Sequence, residues 1–140
     1  MFNRKSPKDF EEHWDYRQMQ PGDQLRVQRG DYYHHGIYVG NDRVIHFDGA
    51  PDAKAEDVSV VESDISEFLR GGLPEVRVYC RGERKLLRSP EQILAAARAA
   101  LGRKGYHINR NNCEHFSNEC AFGVHYSRQT DHLDDARKKL

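Results

Sequence analysis

Three cysteines, Cys80, Cys113 and Cys120, are too few and too oddly numbered for a disulfide framework. They contain no CxxC pair, so a structural zinc site of that kind is not indicated either. Reduced thiols in a reducing compartment are the simpler reading. No apolar run reaches the roughly 18 residues that a spanning helix needs. Residues 1–20 are charged and hold no signal-peptide core, and residues 134–140 are too polar to anchor in a bilayer. Charge of one sign is missing too: 22 Lys and Arg residues balance 22 Asp and Glu residues. A general nucleic-acid binder needs a basic excess, so that class falls away. Repeats and low-complexity tracts are absent. The chain therefore reads as soluble and cytoplasmic, with no transmembrane segment and with peripheral lipid contact left open.

A length of 140 residues suits one domain with a single core. Residues 1–20 read as a polar arm in which Phe10 and Trp14, spaced i and i+4, suit a short docked helix or a frayed segment. Pro21-Gly22-Asp23 then punctuates the chain. Residues 24–27 suit a short strand, and residues 32–39 and 43–47 a hairpin about Gly40-Asn41-Asp42. Residues 58–61 suit a further strand, and residues 64–70 a short helix with Ser63 as N-cap and Gly71 as stop. Residues 75–80 alternate, with Val76, Val78 and Cys80 on one face. A helix over 90–101 is signalled by Ser89 as N-cap, Pro90 at the first position and Gln92 closing a capping box. Its apolar face is Ile93, Leu94, Ala97 and Leu101. Asn112 caps a last helix that starts at Cys113 and stops at Gly123. Residues 124–140 form a polar tail that suits a helix near its end. Strands followed by helices make an α+β layout.

Cys113 is the residue placed for chemistry. The first turn of a helix offers unpaired N–H groups and the positive dipole end, which favour a thiolate. The Cys113 backbone N–H can also stabilise an oxyanion. Cys80, on a strand face, and Cys120, inside a helix, read as small buried residues. A nucleophile needs a base, and the hairpin supplies His34, His35 and His46. A three-residue turn pairs Val39 with Arg43 and puts His34, Gly36 and Tyr38 on one face with Val44 and His46. His34 and His46 are then diagonal neighbours, while His35, Ile37, Val39, Ile45 and Phe47 form the core face. A two-residue turn would instead put His46 beside His35. Tyr32 shares the His34 face and is an oxyanion donor or a packing residue. His115, two positions from the thiol, reads as a cap or surface contact, and His13, His107, His125 and His132 as solvated. The run Arg81, Arg84, Lys85 and Arg88 reads as a solvated face. Two histidines and a cysteine also resemble a zinc set, which competes with catalysis at this point.

The blocks His34-His35-Gly36-Ile37-Tyr38-Val39-Gly40, Val44-Ile45-His46 and Asn112-Cys113-Glu114-His115-Phe116 resemble the lecithin–retinol acyltransferase family of the NlpC-type papain-like group. The resemblance runs over residues 21–123. It implies a circularly permuted papain-like fold, with an antiparallel sheet packed against helices and the nucleophile at a helix N-terminus. It implies a Cys-His-His triad of Cys113 as nucleophile, His34 as base and His46 as third polar residue, with no metal and no cofactor. The implied activity is thiol acyltransfer or hydrolysis on a phospholipid or similar acyl ester, within lipid metabolism. A cysteine amidase or peptidase on acyl amides, and an inactive binding module, are the alternatives. Vertebrate phospholipase members end in a hydrophobic anchor, unlike this chain, so soluble bacterial members are the closer comparison.

Overall fold

The hairpin over residues 32–48 lies inside the sheet, with a further strand on either side. The computed structural model describes residues 5–49, 53–108 and 111–131. Strands β1 (His13–Asp15), β2 (Gln24–Arg29), β3 (Tyr32–Gly40), β4 (Arg43–Asp48), β5 (Ser59–Asp64) and β6 (Glu75–Val78) form one sheet. Their order is β1-β6-β2-β3-β4-β5, with every neighbour antiparallel. Among the described residues four α-helices complete the fold: α1 (Ile65–Leu69), α2 (Arg81–Leu86), α3 (Pro90–Ala99) and α4 (Cys113–Phe122). The protein is thus α+β, as the sequence implied.

The turn between β3 and β4 is not the three-residue one expected. Asn41 and Asp42 both take left-handed backbone angles, φ +52° and +58°, and Gly40 faces Arg43. Two such residues give the primed turn that matches strand twist. Ile37 nevertheless faces Ile45 and Tyr38 faces Val44, which is the expected register. A bulge between Tyr38 and Gly40 takes up Val39 as an extra residue and restores the pairing.

Both faces of the sheet are covered. On one, Leu25, Val27, Tyr38, Val44 and Val76 pack with Phe68 of α1. On the other, Ile37, Ile45, Phe47 and Val60 meet α3 and α4 through Ile93, Ala97, Phe116 and Cys120. α3 carries the predicted capping box but ends at Ala99. Leu101, expected on its buried face, is 43% exposed, and Ala100 is buried instead. The helix stops before Leu101 can turn inward.

Three other expectations are corrected. Residues 13–15 are a strand, not a helix, because the free edge of β6 offers them a ladder. Trp14 then lies 5.6 Å from the His35 ring and 4.5 Å from the Arg26 guanidinium. Asp64, not Ser63, caps α1, accepting from the Ser66 N–H at 2.9 Å. Arg77, on the supposedly outward side of β6, is buried under α2 and α4. It bonds Glu83 at 2.5 Å, Asn118 at 2.9 Å, and Gln24 and Tyr126 at 3.3 Å. The 81–88 run supplies α2, whose Arg81, Arg84 and Lys85 are exposed as expected while Glu83 is buried. The helix expected near the end of the tail lies outside the described residues.

Candidate active site

β3 and β4 bring the two histidines together. His34 Nε2 and His46 Nδ1 are 2.7 Å apart, the diagonal contact expected from the register. His46 Nε2 lies 2.7 Å from Ser63 Oγ on β5. Phe68 of α1 backs both rings, at 5.2 Å from His34 and 5.3 Å from His46. Burial drives the His34 pKa well below the usual imidazole range, and His46, Arg29, His35 and Arg70 push the same way. Burial, assisted by Arg29 and Arg70 and opposed by Asp48, pushes His46 down to about 4. Both rings are therefore neutral at neutral pH. One proton arrangement leaves His34 Nδ1 able to accept a proton. His34 Nε2–H donates to His46 Nδ1, and His46 Nε2–H donates to Ser63 Oγ.

Ser63 is a member of this chain that the sequence did not reveal. A serine just before a helix looks like an N-cap. The available signal was its inward parity on β5, where it faces Val44 and so shares the His46 face.

α4 begins at Cys113 as expected. The Asn112 side-chain oxygen accepts from the Glu114 N–H at 3.0 Å and the His115 N–H at 3.1 Å. Its amide nitrogen donates to the Ile108 carbonyl and to Thr130 Oγ1, both at 2.9 Å. His115 is a buried cap: Nδ1 accepts from the Asn112 N–H at 3.1 Å, and Nε2 pairs with Asp131 at 2.8 Å. The Cys113 sulfur accepts from the His35 N–H at 3.4 Å and faces the Tyr33 carbonyl at 3.9 Å. Sequence position suggested a stabilised thiolate. Burial instead pushes the thiol up to about 11, against the downward pull of the His35 and Glu114 amides and Arg29. Desolvation outweighs the helix end here.

α4 lies on the sheet face that carries Ile37, while His34 and His46 share the face covered by α1. Cys113 and His34 meet at a cavity of about 750 Å³ at the end of the sheet where β3 starts and β4 finishes. Phe47, Val58, Tyr106 and Ile108 give it apolar walls. Tyr32 stands at its edge, 51% exposed. Among the described residues, the sulfur bonds the β3 backbone rather than the His34 ring. Catalytic hydrogen bonds often tighten only when substrate binds. His13, His107 and His125 do not line the cavity, and His132 lies outside the described residues.

Gln129, in the stretch read as a polar tail, was also missed. Its side chain clamps the Tyr33 peptide, accepting from the N–H at 2.8 Å and donating to the carbonyl at 3.2 Å. The buried Glu114 carboxylate holds it in turn, through the Gln129 N–H at 3.0 Å. No sequence pattern marks such a clamp. Among the described residues no three His, Cys, Asp or Glu side chains are grouped to hold a metal ion. Nor is any described helix long and apolar enough to cross a membrane.

An antiparallel sheet carrying a histidine pair, with a cysteine-led helix packed on it, makes an α+β domain consistent with the NlpC-type fold. The chain belongs to the lecithin retinol acyltransferase family, whose model matches residues 17–126. Human phospholipase A and acyltransferase 4 is 30% identical over 127 residues, covering 83% of this chain and 77% of that protein. Bovine lecithin retinol acyltransferase is 29% identical over 132 residues, covering 79% of this chain and 57% of that protein. Egg-laying defective protein 26 of Caenorhabditis elegans is 31% identical over 121 residues, covering 74% and 38%. The chain thus spans little more than half the length of the bovine relative.

Proposed function

We propose that this protein is a thiol acyltransferase or hydrolase that works through a thioester on Cys113. The carrying observation is the His34–His46–Ser63 chain, whose first ring lines the same cavity as Cys113. Burial holds the Cys113 thiol protonated at neutral pH. A preformed ion pair therefore contributes little, and proton removal accompanies attack. His34 Nδ1 takes the thiol proton as Cys113 Sγ bonds to the ester carbonyl carbon. The Cys113 N–H, with Tyr32 as a second donor, faces the oxyanion. Collapse expels the alcohol, which leaves with the proton from His34. Water, an amine or an alcohol then attacks the thioester, giving its proton to His34, and the thiol is restored. No step needs a metal or organic cofactor. His46 holds the His34 ring and its tautomer.

An acyl ester suits the walls. Phe47, Val58, Tyr106 and Ile108 offer an apolar lining for a chain, and the volume falls within the roughly 300–1,000 Å³ of small-molecule sites. The names of the relatives, acyltransferase and phospholipase, favour a phospholipid donor. The test is intact-protein mass after incubation with phosphatidylcholine vesicles, beside Cys113→Ala. A fatty-acyl mass gain or fatty-acid release by the native protein, lost in Cys113→Ala by about 10³-fold or more, is expected. No adduct and no fatty acid would overturn the phospholipid-ester reading, and release retained by Cys113→Ala would overturn the nucleophile.

A further inference from the structure

Two arginines stand at the cavity without a role in the steps above. Arg29 ends β2, and Arg70 follows α1; both line the cavity together with His34 and Cys113. The Arg29 Nη2 donates to the Phe68 carbonyl at 2.7 Å and the Glu67 carbonyl at 3.3 Å, which pins the guanidinium beneath the end of α1. Its Nε has no partner among the described residues. Arg70 is an arginine in left-handed backbone, φ +45°, a conformation that side chains with a Cβ disfavour. Such an outlier directs attention to what the side chain reaches. It crosses the cavity edge to Asp48 at 3.4 Å, a half-exposed pair that is weak and readily exchanged. Each guanidinium also pushes the pKa of both histidines down, so both charges are felt at the His34 end of the cavity. Mutual repulsion adds to burial in loosening the Arg29 proton. Among the described residues, Asp31 and Asp48 are the acidic groups lining the same space.

We propose that Arg29 and Arg70 form a phosphate site at the cavity mouth that holds the headgroup phosphate of the acyl donor. The inference rests on the acyl-ester reading above and goes further by assigning the donor's anchor. Planar guanidinium forks match phosphate oxygens in pairs, and a phosphate gives two like-charged forks a common partner. Asp48 yields Arg70 to that phosphate. An anchor at the mouth leaves the ester carbonyl of the same lipid directed inward to Cys113. A donor without phosphate is left with the apolar walls alone.

The test compares a short-chain phosphatidylcholine with p-nitrophenyl butyrate, a phosphate-free ester, on native protein, Arg70→Asn and Arg29→Lys. Asparagine tolerates the left-handed backbone, so Arg70→Asn removes the charge with little strain. Lysine keeps the charge at 29 and removes the fork. Either change is expected to lower kcat/KM on phosphatidylcholine about tenfold more than on the phosphate-free ester, mainly through KM. Equal losses on both esters would overturn the site. Glycerophosphocholine binding to Cys113→Ala protein, followed by calorimetry, reads the site without turnover. It should weaken about tenfold in Cys113→Ala/Arg70→Asn and strengthen when Asp48→Asn removes the competing carboxylate. Unchanged affinity in both would overturn the proposal. Inorganic phosphate that binds the pair but does not compete with phosphatidylcholine would assign the site to free phosphate and overturn the headgroup role. Failure of the native protein on both esters, with glycerophosphocholine still bound through Arg70, would overturn the acyl-ester reading and leave the phosphate site standing.

Discussion

Ser63→Ala tests the hydrogen-bonded chain behind His34 at its least conspicuous member. His46 has no exposed surface, so water cannot replace the hydroxyl that lies 2.7 Å from its Nε2. With alanine there, the productive tautomer leaves a buried N–H unpaired, at about 1–3 kcal/mol. The protein has an escape. His46 can carry its proton on Nδ1 and donate to His34 Nε2, which forces the His34 proton to Nδ1. In that form His34 cannot accept the thiol proton. At about 1.4 kcal/mol per factor of ten, kcat should fall roughly 5- to 150-fold, while stability falls by less because the escape is open. Ser63→Thr keeps the hydroxyl and should restore most of kcat. The assay is fatty-acid release from phosphatidylcholine beside urea unfolding, with ¹⁵N shifts of the two imidazoles reporting the tautomers. Native kcat in Ser63→Ala, or equal losses in the alanine and threonine variants, would refute the reasoning.

Two further outcomes follow from burial. Alkylation of Cys113 by iodoacetamide, located by peptide mass, should be slow at pH 7 and keep rising to about pH 11, because the thiol is held protonated; a plateau near neutral pH would contradict this. Glu83→Gln should cost about 3–5 kcal/mol in urea unfolding, since it leaves the fully buried Arg77 charge without its 2.5 Å partner; a loss below about 1 kcal/mol would show that Glu12, 3.9 Å away, can substitute.

The parts of the molecule legible in the sequence are those that local chemistry decides. Asn112 before Cys113 and Gly123 after Phe122 bound α4 correctly, because cap and stop are side-chain and backbone properties of single residues. The pairing of His34 with His46 was legible for a more fragile reason. The turn is one residue shorter than expected, and the bulge at Val39 adds back the missing residue. By itself the two-residue turn would put His46 beside His35; the bulge, which no local pattern marks, cancels that shift. The burial of Arg77 was not legible because alternation assigns a residue to a face but does not say whether another element will cover that face. Gln129 and Ser63 act through contacts with residues far away in the chain, which no local pattern records. The protonation state of Cys113 was hidden for the same reason: a helix start is visible locally, whereas the depth of burial that overrides it is a property of the whole fold.

The side chain of Asn112 has a consequence for how this scaffold can change. One amide ties three segments: the loop that carries Ile108, the start of α4, and Thr130 in the stretch beyond that helix. All three segments also furnish cavity wall, through Tyr106, Ile108, Cys113, Gln129 and Thr130. A redesign that enlarges the cavity from the 106–108 side therefore pulls on the same knot that holds the start of α4, and so does one at Phe47, whose ring lies 5.5 Å from Tyr106 and 5.9 Å from Phe116 of α4. Under the proposed acyl-ester chemistry, changes to the lining should begin at Val58.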